Sequence, residues 1–77
     1  MATIQDGEQW AAMQAEWLSV NQEARTARFR VTHAFERCAA GDGSGPTTGQ
    51  LELAEQLEQA ADAKRLAMDE FVTRVFG

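Results

Sequence analysis

The residues of this chain best suited to chemistry fall within one short stretch: His33, Glu36, Arg37 and Cys38. A histidine three residues before a glutamate shares a helix side with it, a spacing that suits proton transfer or pH sensing. A heptad count turns His33 away from the apolar seam described below and gives it no orienting partner. Its expected role is therefore a solvated surface side chain. Arg37 beside Cys38 would favour a reactive thiolate. Cys38 sits at a seam position, however, so a small buried hydrophobe is the expected role.

Glu52, Glu55 and Glu58 recur every third residue. Di-metal helical bundles use inward carboxylates, but they also need Glu-x-x-His pairs. The one histidine lies in the other helical segment. Acidic residues near a helix N-terminus have a sufficient reason in the helix dipole. Gly41-x-Gly43-x-Gly45 follows a helix rather than a strand, and no Gly-Lys-Ser/Thr follows it, so it is no phosphate cradle. Asp42 and Ser44 do not complete a calcium loop. One cysteine and one histidine make neither a disulfide nor a zinc site. These readings predict no catalytic, cofactor-binding or metal-binding residue, no small-molecule substrate, and a protein that is not an enzyme. An enzyme would need His33 and Glu36 assembled into a site at an interface.

The elements that carry these residues are two helices. Asp6 is the expected N-cap of the first, with Gln9 as its capping-box partner and Gly7 disfavouring an earlier start. No Gly or Pro interrupts Glu8 to Ala40. Gly41 stands where a left-handed residue ends a helix, and Gly41 to Pro46 reads as loop. Thr47 with Gln50 forms a second capping box. The 77 residues thus form one domain: a helix over about 7–40, a Gly-rich loop over 41–47 and a helix over about 48–76.

Trp10, Met13, Trp17, Val20, Ala24, Ala27, Val31, Ala34 and Cys38 recur at alternating spacings of three and four, which gathers them into one seam. Ala54, Leu57, Ala61, Lys64, Met68, Phe71 and Val75 form the matching seam of the second helix, with Lys64 the one intruder. The fold class is all-α: an antiparallel two-helix hairpin, coiled-coil-like, with alanine facing alanine in the middle. A turn near Ser44 sets Arg28 near Glu58, Glu16 near Arg74, Lys64 toward Glu23 and Trp17 opposite Phe71. Trp10 then overhangs the second helix without an intrachain partner.

An alanine seam buries little area per residue, and a chain this short is marginal unless something staples it. Leu18 and Phe29 lie on the far side of the first helix, Phe35 flanks its seam, and Leu51, Leu53, Leu66, Val72 and Phe76 spread around the second. A single hairpin leaves several of these wet. The expectation is dimerisation into a four-helix bundle, or docking on another helical protein. The partner-binding residues predicted are Trp10, Met13, Trp17, Leu18, Phe29, Phe71 and Val75.

A net charge of −5 disfavours nucleic acid and anionic membrane as partners. Four arginines (Arg25, Arg28, Arg30 and Arg37) crowd the second half of the first helix, and Glu52, Glu55, Glu58 and Asp62 crowd the start of the second. The two sets are expected to pair, within one chain or between two. With no apolar run of spanning length, no signal-peptide pattern and one free thiol, a reducing cytoplasm is the expected location.

In size and layout the hairpin resembles the type III secretion needle subunits and their co-chaperones. The Pro-x-x-Pro turn of needle subunits is absent, with Pro46 alone in the loop, as is the Trp-x-Gly turn of the secreted WXG proteins. No residue role is carried over. The resemblance implies, as an alternative, a subunit or co-chaperone of a bacterial secretion or filament assembly. The residues themselves point to a small non-enzymatic interaction module: a regulator, adaptor or small chaperone.

Overall fold

The computed structural model describes residues 2–77. Two helices, α1 (Ile4–Ala39) and α2 (Thr48–Phe76), pack along each other as a hairpin. At 1.5 Å per residue they run roughly 54 and 43 Å, and the molecule is a rod of 59 × 16 × 14 Å.

Helix α1 starts three residues earlier than the sequence suggests. Thr3, not Asp6, is the N-cap: its side chain accepts a hydrogen bond from the Asp6 amide at 3.2 Å, and the Asp6 carboxylate accepts one from the Thr3 amide at 2.8 Å. Asp6 is a capping-box residue in the third helical position, so Gly7 falls inside the helix. A glycine there costs roughly 1 kcal/mol relative to alanine, which the reciprocal cap and the long helix behind it offset. Helix α2 starts where expected. Thr47 and Gln50 make the same reciprocal cap at 2.9 and 3.1 Å.

The end of α1 is a Schellman motif. The Gly41 amide donates to the Cys38 carbonyl at 3.0 Å and the Asp42 amide to the Arg37 carbonyl at 2.8 Å. This geometry needs a left-handed residue after the cap, and Gly41 supplies it at φ +79°. Arg37 closes over the turn, donating to the Asp42 carbonyl at 3.2 Å.

The core lies on the two predicted seams. Ala24, Ala27 and Val31 of α1 and Ala54, Ala61, Met68 and Phe71 of α2 are buried. Val31 and Ala54, at 1% and 0% exposed, centre a cluster that Leu51 and Leu57 flank. The intervening seam residues Met13, Trp17, Val20, Ala34, Leu57, Lys64 and Val75 are half-buried. Cys38 departs from the expectation of burial and is exposed. The α1 seam ends there, one residue before the helix does, with only the glycine loop to meet it.

Candidate partner-binding surface

Small residues at the middle of the seam leave a depression on each side of the hairpin. One is bordered by Thr26 and Arg30 of α1 and Leu53 of α2. The other is a groove of about 350 Å³ with Ala24 and Ala61 at its floor. Its α1 wall carries Arg25, Arg28 and Phe29, and its α2 wall carries Glu58 and Asp62.

Arg28 and Glu58 join across this groove in a two-pronged pair, with Nε donating to Oε2 at 3.0 Å and a second guanidinium nitrogen donating to Oε1. That hydrogen bond, more than the charge attraction, holds the Glu58 carboxyl below its ordinary pKa and raises Arg28 above the usual guanidinium value. Among the described residues, Arg25 and Asp62 stand in no intrachain ion pair. The groove thus has one basic wall and one acidic wall, each with a charge still unmatched.

Helical spacing extends both walls. Glu58, Arg65 and Val72 are heptad-related, as are Asp62, Asp69 and Phe76, so the α2 wall runs on to Val72 and Phe76. On α1, Leu18 is heptad-related to Arg25, and Phe35 to Arg28. Of the exposed large apolar residues, Phe29 lines the groove, heptad spacing sets Phe35, Val72 and Phe76 along its walls, and Leu18 joins Phe29 in a hollow on the adjoining outer face of α1. Only Leu53 borders the opposite depression. Leu66 and Ile4 lie elsewhere on the surface and are also exposed.

Several aromatic groups on or beside this side are held in place. Phe29 stacks on His33, with ring centroids 6.2 Å apart and planes 4° from parallel. Phe76 meets Phe71 edge to face at 6.5 Å. The Arg65 guanidinium lies 5.2 Å from the Trp17 ring centroid, a cation–π contact between the helices.

The seven predicted partner-binding residues divide into two groups. Leu18 and Phe29 are exposed, Phe29 at 69%. Trp10, Met13, Trp17 and Val75 are half-buried and Phe71 is buried within the single chain. Trp10 is thus not the bare overhang the sequence suggests. Arg28 meets Glu58 as a turn near Ser44 implies, but the contacts toward the open end differ. Lys64 reaches Glu16 at 3.4 Å, two turns beyond Glu23, and Arg74 lies over Phe71 of its own helix rather than pairing with Glu16. The sequence marks Val72 and Phe76 as off-seam apolar residues and Arg25 and Asp62 as charges expected to pair, but it does not gather the four onto one flank. Their signal was a second three-four stripe beside the seam, recognisable only once the groove showed which flank mattered.

His33 is exposed, and its neighbour in space is Phe29 rather than a carboxylate. Among the described residues, no three His, Cys, Asp or Glu side chains cluster to hold a metal ion, and no helix is long and apolar enough to cross a membrane. No family model matches the chain, and neither a curated protein nor a solved structure matches it significantly.

Proposed function

We propose that this chain is a non-enzymatic protein–protein interaction module that works by packing the exposed apolar side of its hairpin against further helices, as a regulator, adaptor or small chaperone does. The supporting observation is surplus surface. A folded monomer of 8.5 kDa exposes about 4,700 Å² by the general mass scaling. This chain exposes 5710 Å². The surplus of roughly 1,000 Å² is the size of one partner's share of a standard interface, ~800 Å². A rod two helices thick has no second layer to cover its flanks, and large apolar side chains occupy them.

A photoreactive amino acid placed at Phe29 tests this reading in cells. Covalent protein adducts from Phe29, with none from the exposed Glu70, are the expected result. A folded chain that gives no protein adduct from Phe29 overturns it.

A further inference from the structure

Resting on that interaction reading, the geometry points to a specific occupant: a second copy of this chain covers the Phe29 groove, with both loops at the same end and α1 of each copy lying on α2 of the other. A two-fold axis parallel to the helices produces this arrangement and leaves each residue facing its partner at the same height.

Charge chooses between the two ways of closing such a dimer. With the axis along the rod, the basic α1 wall faces an acidic α2 wall. Arg25 then meets Asp62 of the partner subunit, and the reciprocal contact forms at the same time, so two unmatched pairs are satisfied. With the axis across the rod, α1 lies on α1. Arg25 sits near the middle of the rod, so this closure brings Arg25 and Arg28 beside the same residues of the second copy. Like charges in such a contact disfavour the wrong register. Two copies of net charge −5 repel one another, and this local complementarity offsets that repulsion at the interface.

Size and shape agree. A face 59 Å long and 16 Å wide can supply the ~800 Å² per partner of a standard interface. The alanine floor at Ala24 and Ala61 leaves about 350 Å³ in the middle of that face. It is an opening for side chains of the second copy, bordered by Phe29.

The native Cys38, exposed near the loop, reports the arrangement directly. With spin labels on Cys38, pulsed dipolar spectroscopy should give an intermolecular distance of about 20–30 Å, from helix spacings of 8–10 Å plus the label arms. Loops at opposite ends would place the labels about 40 Å or more apart, from the helical rise between Cys38 and the rod centre. Arg25→Glu should weaken dimerisation about tenfold or more with helicity retained, and adding Asp62→Arg in the same chain should restore it. The long distance, or an Arg25→Glu chain that dimerises as well as the native one, overturns this pairing and leaves self-association intact. A monomeric chain whose Phe29 adducts contain other proteins overturns the second-copy occupant and leaves the interaction reading. A chain with no adducts loses both.

Discussion

Arg28 on α1 holds Glu58 on α2 through two nitrogens, across 30 residues of sequence, while both side chains stay about two-fifths exposed. The pair aligns the helices at mid-hairpin and spans the groove that Arg25 and Asp62 also line. Its solvent exposure and sensitivity to salt make it a specifier of alignment more than a source of stability.

The sign of its pH dependence follows from Glu58. A carboxyl whose pKa is lowered by folding contributes stability that is complete above its unfolded value and is lost as pH falls through the folded one. At low salt, native chain and Glu58→Gln should differ in thermal midpoint at neutral pH and converge as the solution is acidified below the ordinary glutamate range. Helical circular dichroism during thermal melts measures this. A difference that persists unchanged into strong acid contradicts it.

Close approach of the helices depends on alanine. Ala54 is completely buried against Val31 and its neighbours. Ala54→Leu should therefore destabilise the hairpin by about 1–3 kcal/mol through overpacking. Ala63→Leu, at an exposed position of the same helix, should stay within about 0.5 kcal/mol of the native chain. Chemical denaturation of both variants makes the comparison, and equal losses would place the seam elsewhere.

Gly41 is not equivalent to loop filler. Gly41 holds φ +79° at the end of α1 with open space around its α-carbon. Gly41→Ala meets no steric obstacle and loses only the backbone preference, about 1–2 kcal/mol. Gly43→Ala, whose φ is not positive, should cost much less in the same denaturation experiment. Comparable losses would rule out the left-handed cap as the cause.

The seam was legible because burial follows spacing: each of the seven buried residues, from Ala24 to Phe71, stands at a three-four position. Gly41 and Thr47 were legible because cap chemistry is local. The start of α1 was not, since Thr3-x-x-Asp6 and Asp6-x-x-Gln9 have the same capping spacing and only the competition between them decides. The reach of Lys64 to Glu16 was also hidden. Long side chains span two turns, so charge alone does not fix register. The surface moved because packing within the hairpin buries Phe71 and half-buries Trp10, Met13, Trp17 and Val75, while Leu18, Phe29, Phe35 and Phe76 stay more than half exposed. Which flank they share depends on how two helices are rotated against each other, and neither helix alone encodes that.

Sedimentation equilibrium of the native chain and of Phe29→Asp, from about 1 to 100 µM, tests most directly whether the hairpin is completed by a copy of itself. The native chain should rise from 8.5 kDa to twice that mass, with a thermal midpoint that climbs with concentration. Phe29→Asp should keep its helicity and remain at the single-chain mass. A native chain that stays at the single-chain mass throughout, with a concentration-independent midpoint, contradicts the dimer.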